Sequence, residues 1–183
     1  MFKRWLLVLP GIALLAVAFN AAINLVQSEI WRYQTENFLE HWQTETRADP
    51  DYVINKQDWQ VTLAGIDKAL TKAPIAAELE VLRARVLESG FRAGWLAIDE
   101  PLMGPMELTA WQQAILSRPA WPYSWSNYAL ARSQRSLIDD QFEAALVRAN
   151  QLGPWEQKVM ENAMVMGRYY RCLLYTSPSP RDV

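Results

Sequence analysis

Few residues in this chain have the type and spacing that chemistry needs. His41, in Glu40-His41-Trp42-Gln43, is the one histidine. A lone imidazole with no constellation of ligands around it reads as a surface or interface residue rather than a metal ligand or a general base. Two pairs of carboxylates stand close in sequence. Asp139-Asp140 reads as a solvated turn or helix cap, and Asp49 and Asp51 flank Pro50 in another turn. Paired carboxylates run glycosidic chemistry only when a pocket sets their separation, and the sequence around these pairs predicts none. There is no phosphate loop, nucleophile elbow or dinucleotide fingerprint. The expectation is no catalytic residue, no cofactor and no metal. The remaining concentration of reactive surface is aromatic. "RPAWPYSWSNYALA", Arg118 to Ala131, packs Trp121, Tyr123 and Trp125 around Pro122. Such a cluster is either a stacking platform for sugar rings or the opening of a packed helix.

Composition narrows the partners. About half the residues are apolar and glycine is scarce, at 7 of 183 residues, which favours helices over sheet. The formal charge is −2, with no basic run beyond the N-terminus, so nucleic-acid binding has no electrostatic footprint. The single cysteine is Cys172, which leaves no disulfide framework or cysteine metal site to expect.

The first residues supply an address. Lys3 and Arg4 precede an apolar stretch from Trp5 to Val26, and Gln27, Ser28 and Glu29 follow it. That length suits one bilayer crossing. By the positive-inside rule the N-terminus stays in the cytoplasm and the bulk lies across the membrane, in the periplasm of a Gram-negative cell. The rival is a cleaved signal peptide ending at Ala16-Val17-Ala18. Continued apolar character through Ala21, Ala22, Ile23, Leu25 and Val26 favours an uncleaved anchor over residues 1–27. One nearly continuous helix is expected from Arg4 to about Arg47, with Trp31, Phe38 and Trp42 near one face. Ser28 and Asp58 are expected helix starters.

The rest, residues 28–171, reads as all-α. Three segments share one signature: a large apolar residue, alanine three positions on, and proline five after that. They are Ile66, Ala69 and Pro74; Trp111, Ala114 and Pro119; and Leu146, Ala149 and Pro154. This is the end of the second helix of a tetratricopeptide-like repeat, with small alanine where paired helices approach and proline closing the unit. Leu79 and Leu82 after the first proline, and Trp125 and Tyr128 after the second, fit inward positions of the following first helices. Pro119 and Pro154 lie 35 residues apart and Pro74 and Pro119 lie 45 apart, against a period of roughly 34. The excess is expected as a long Gly/Pro turn within Ser89–Pro105. A generic array of helical hairpins is the bland alternative. On the repeat reading Trp125 and Tyr128 are core, and Trp121 and Tyr123 remain as candidate contacts for a partner or a sugar.

The layout from Met1 to Arg171 resembles the VpsP-type polysaccharide-biosynthesis proteins of proteobacteria, most closely across Ser117–Glu156. The strings carrying the resemblance are "KRWLLVLPGIALLAVA", "RPAWPYSWSNYALARSQ" and "FEAALVRANQLGPWE". The resemblance implies a pathway, exopolysaccharide production, and brings no catalytic residues with it. It implies an inner-membrane scaffold or assembly factor that holds protein partners of the synthesis or export machinery. The alternatives are a periplasmic carbohydrate-binding module guiding the polymer, an enzyme acting on it, or a repeat scaffold of another envelope pathway such as cytochrome maturation or division. The end of the chain departs from the amphipathic, helix-forming pattern before it. There "CLLYTSPSPRD", Cys172–Asp182, resembles a translated transposase sequencing adapter at every residue. Residues 172–183 are therefore expected to be an artefactual tail that packs poorly, with the natural product continuing past Arg171.

Overall fold

The computed structural model describes the backbone of residues 2–74, 76–96 and 106–176, and the side chains of residues 10–74, 76–96 and 106–168. Among these the chain forms seven α-helices and no strand: α1 (Phe2–Ala48), α2 (Lys56–Lys72), α3 (Ala77–Arg92), α4 (Met106–Ser117), α5 (Pro122–Gln134), α6 (Asp140–Leu152) and α7 (Gln157–Thr176). They group into two compact units, Met1–Leu82 and Arg83–Val183.

α1 is unbroken over 47 residues, with Pro10 inside it. Pro10 is the ninth residue of α1, past the four starting amides that lack an intrahelical acceptor, so it removes the bond to the Leu6 carbonyl while the helix runs on. From Pro10 onward α1 contains an 18-residue window of mean hydropathy 1.6 whose side chains are almost wholly exposed, long and apolar enough to cross a membrane. Ile12, Leu14, Leu15, Val17 and Phe19 all face outward. The character changes at Ser28, which is buried. Its Oγ donates to the Ala69 carbonyl on α2 at 3.3 Å. Ser28 therefore begins no helix; it marks where α1 stops facing outward and starts packing on α2. Asn55, not Asp58, starts α2: its side chain accepts the Gln57 amide at 2.8 Å.

α1 and α2 run antiparallel. Asn24 meets Lys72, Ser28 meets Ala69, and Trp31 faces Gly65 and Lys68. A Cβ on Gly65 would sit 3.0 Å from Trp31 Cε3, so the glycine makes room for the indole. Thr35, Leu39, Trp42, Trp59, Thr62, Ile66 and Ala69 are all buried in this unit. Leu79 and Leu82, at the start of α3, are buried as expected.

In the second unit α5 is central, packing on α4, α6 and α7. Trp111, Ala114, Tyr128 and Ala149 are buried. Two expected core positions differ. Trp125 is only half-buried, because its indole leans over the preceding turn and donates to the Pro119 carbonyl at 2.8 Å. Leu146 is also half-buried; Phe142 and Ala145 supply the core face of α6 instead.

The helices end in two ways. After α2, α4 and α6 the residue before the proline donates its amide to the signature alanine: Ala73 to Ala69, Arg118 to Ala114 and Gly153 to Ala149. Each of these residues then accepts an amide three positions on, from Ala76, Trp121 and Glu156. Pro74, Pro119 and Pro154 are thus turn residues, each two positions past its helix. α3 and α5 end differently. Gly94 (φ 76°) and Ser136 (φ 59°) take the left-handed conformation. Trp95 donates to Gly90 and Leu137 to Arg132, which is the Schellman closure. The expected long turn begins only at Ala93, since Ser89 to Arg92 are helical; the remainder, residues 97–105, lies outside the described residues. α7 runs to Thr176, five residues past Arg171. Residues 177–183 of the expected tail, prolines included, also lie outside them.

Candidate functional site

The turns after α4 and α6 meet, and the aromatic cluster is built where they do. Pro122 supplies the first residue of α5 and is buried, a placement that suits its fixed φ and missing amide. Gly153 lies against it so closely that a Cβ there would come within 2.9 Å of the Pro122 ring. This contact brings Glu156 to Tyr123, whose hydroxyl donates to the Glu156 carboxylate. That hydrogen bond, to an acceptor carrying negative charge, raises the Tyr123 pKa above the usual phenol range. Tyr123 in turn packs against Trp121, ring centroids 5.3 Å apart and tilted by 52°. The Arg118 guanidinium covers the Trp121 ring at 5.1 Å.

Trp121 is 42% exposed, and Trp155, between Pro154 and Glu156, is 87% exposed. The structure therefore brings both expected contact residues, Trp121 and Tyr123, into one edge with Arg118 and Glu156, and Trp155 stands exposed beside Glu156 in the same turn. Trp155 is the member that sequence reasoning missed. Its signal was the repeated position: it follows Pro154 as Ala120 follows Pro119, in a turn whose central residues face out. Two exposed indoles offer flat apolar faces, and Arg118 and Glu156 frame them with one positive and one negative group. That combination can stack on a sugar ring while hydrogen-bonding its hydroxyls, or anchor a protein surface. Of the repeat-signature residues, Pro119 and Pro154 lie in the turns that build this edge and Trp125 bonds to the first of them; Ile66, Ala69, Leu79 and Leu82 belong to the first unit, and Trp111, Ala114, Tyr128 and Ala149 are interior.

The second unit holds two polar clusters, the first of them with Asp139 and Gln141 exposed at its rim. In one, Arg132 is nearly buried and grips the Asp139 carboxylate through Nε and Nη2. Its Nη1 donates to Tyr128 Oη and Gln141 Oε1, both at 2.9 Å. Tyr128 donates to Gln141 and accepts from Gln112. Asp139 also caps α6 by accepting the Phe142 amide at 3.0 Å. That amide, and then Arg132, hold the Asp139 carboxyl below the usual range. Its contribution to stability is present above that range and is lost as pH falls through the lowered pKa. These hydrogen bonds join Gln112 on α4, Tyr128 and Arg132 on α5 and Gln141 on α6, with Asp139 at its cap, so the cluster fastens the three helices.

In the other cluster two carboxylates are buried. Glu107 pairs with Arg135, whose guanidinium also lies 4.2 Å over the Phe91 ring. Glu88 pairs with Arg92 at 3.1 Å. Burial raises the Glu88 pKa; the neighbouring Glu107 charge raises it further, while Arg92 and Arg85 oppose. The Trp111 indole N–H acts on the same carboxylate but makes no hydrogen bond of ordinary geometry. Each carboxylate has an arginine partner, buried Arg135 for Glu107 and exposed Arg92 for Glu88, and Glu107 Oε2 is buried without a hydrogen bond. His41 is exposed on α1, 3.7 Å from Glu45, in an open depression with Gln34, Asn37 and Phe38. No group of three or more potential metal ligands occurs among the described residues.

No protein-family model and no curated protein matches the chain.

Proposed function

We propose that the chain is a single-pass, membrane-anchored scaffold. Its tetratricopeptide-like helical hairpins stand in the periplasm and hold partners of an exopolysaccharide synthesis or export machinery. The observation that carries this reading is the continuity of α1: one helix is exposed and apolar over its first part and packs on α2 over its second. An anchor so joined fixes the first unit to the bilayer without a linker. The repeat element of the reading is supported by the alternating helix ends, with three proline turns bonded to Ala69, Ala114 and Ala149 and two Schellman closures between them. The pathway rests on the sequence resemblance alone. Stacked helix pairs suit gripping a peptide or helix of a partner, and the reading assigns the chain no catalysis.

A second reading is favoured by one observation, the exposure of Trp121 and Trp155 on the edge that holds Tyr123. There the chain would bind the polymer itself. One experiment separates the two. The full chain carrying Trp121→Ala and Trp155→Ala is compared with the parent for crosslinked partner capture and for binding to acidic and neutral polysaccharides. The scaffold reading expects specific partners, captured less by the variant, and no polysaccharide binding by either protein. Polysaccharide binding lost in the variant replaces it with the second reading. Capture of no specific partner, with no polysaccharide binding, refutes both.

A further inference from the structure

The antiparallel register of α1 and α2 fixes how deep the start of the domain must sit if α1 is an anchor, and the inference rests on that reading. Asn24 Oδ1 accepts from Lys72 Nζ at 3.2 Å. Ser28 lies opposite Ala69, and Trp31 opposite Gly65 and Lys68. Extending this pairing places Ala73 and Pro74 beside residues 22–24 of α1. Those residues belong to the apolar stretch, not to the polar helix after it. Ile23, Leu25 and Val26 are 40–61% exposed at this level. A crossing helix needs about 20 residues. Counted from Trp5, the first residue after the Lys3-Arg4 pair, that span ends near Asn24.

We infer that the turn after α2, with Lys72, sits in the phospholipid headgroup layer, where the Lys72 ammonium binds a lipid phosphate. A bilayer whose hydrocarbon ends near Asn24 brings this turn to its surface and the exposed Leu25 and Val26 into the interface, because α1 is one unbroken helix there and α2 packs against it. The residues at this level suit the place. Lys72 is exposed in the last turn of α2, and one Asn24 oxygen uses only part of its donor capacity. Its long stem can lie along apolar surface while the charge reaches water and phosphate. Pro74 is exposed and has no amide to satisfy. Lys68, one turn farther out, covers the Trp31 ring at 5.0 Å, an aromatic–cation pair at interfacial height. Acidic groups near this end of the unit are Glu29, paired with Arg32, and Asp67, Glu78 and Glu80. They disfavour a purely charge-driven attraction. The seat is therefore set by depth, and a zwitterionic phosphate layer suffices.

The test uses the full chain in phosphatidylcholine vesicles. Cys172→Ser removes the one thiol of the chain, and a fluorescent probe is placed through Thr71→Cys or, about 21 Å farther along α2 at 1.5 Å per residue, through Gln57→Cys. The Thr71 probe is expected to be quenched by headgroup-labelled nitroxide lipid and shielded several-fold from aqueous iodide, and the Gln57 probe the reverse. Lys72→Glu should weaken the lipid quenching at Thr71. Alkaline extraction of the vesicles runs in parallel. A chain that resists extraction but whose Thr71 probe is as open to iodide as the Gln57 probe overturns the seat and leaves the anchor standing. A chain released by alkali overturns the anchor, and the seat with it. Unchanged lipid quenching in Lys72→Glu overturns the phosphate contact of the lysine.

Discussion

Gly153→Ala tests whether the two proline turns of the second unit are docked as described. The glycine φ of −147° is open to any residue, so the argument is one of space. An added Cβ would lie 2.9 Å from Cβ and Cγ of Pro122 and 2.8 Å from Cγ of Glu156. The Glu156 side chain can swing away, at the expense of its hydrogen bond from Tyr123. The Pro122 ring cannot, because it is the buried first residue of α5. Overpacking of this kind costs roughly 1–3 kcal/mol, and the reduced freedom of the unfolded chain returns about 0.4–1 kcal/mol. The net loss is about 0–2.6 kcal/mol, centred near 1.3. For a chain of this size that centre lowers Tm by roughly 3–5 °C. Near-ultraviolet circular dichroism of the full chain in detergent reads it, since tryptophan is abundant in the second unit. Pro122→Ala added to Gly153→Ala should restore more stability than the two single effects predict. An unchanged or higher Tm for Gly153→Ala, or strict additivity with Pro122→Ala, would refute the docking of the turns and the assembly of the aromatic edge built on it.

Two further outcomes are expected. Ser136 holds the left-handed position that glycine fills at the end of α3, so Ser136→Gly should stabilise the protein by about 1 kcal/mol; a lower Tm would contradict the closure assigned to α5. Glu88 has a raised pKa in the fold, so its contribution is fully present below the ordinary carboxyl range and is lost as pH rises through the raised value. Glu88→Gln removes that loss, and the Tm of the variant should gain on the parent as pH rises above the ordinary carboxyl range; a difference that does not change with pH would count against burial as the dominant influence.

The sequence by itself determined the helical class, the long first helix, and the positions of Ala69, Ala114, Ala149 and the prolines that follow them. Each is a local matter. Helical periodicity, the length of an apolar run and the missing proline amide act within one turn or one helix, so they are written along the chain. The sequence also placed Trp121 outside and Tyr128 inside. Trp121 precedes the proline that opens α5, and the repeat pattern marked Tyr128 as an inner position of that helix. What the tertiary structure decided depends on which helices meet. Trp125 fits the inner pattern, yet it is half-buried because the Pro119 carbonyl takes its indole N–H. Ser28 looks like a helix start, but the Ala69 carbonyl on another helix accepts its hydroxyl proton. Glu88 and Glu107 stand 19 residues apart with nothing between them to announce a shared interior. Glu156 reaches Tyr123 because Gly153 lets one turn lie against Pro122, and that turn holds Trp155 exposed. Long-range packing sets such partners, and a single chain read in order holds the residues without the contacts that give them their roles.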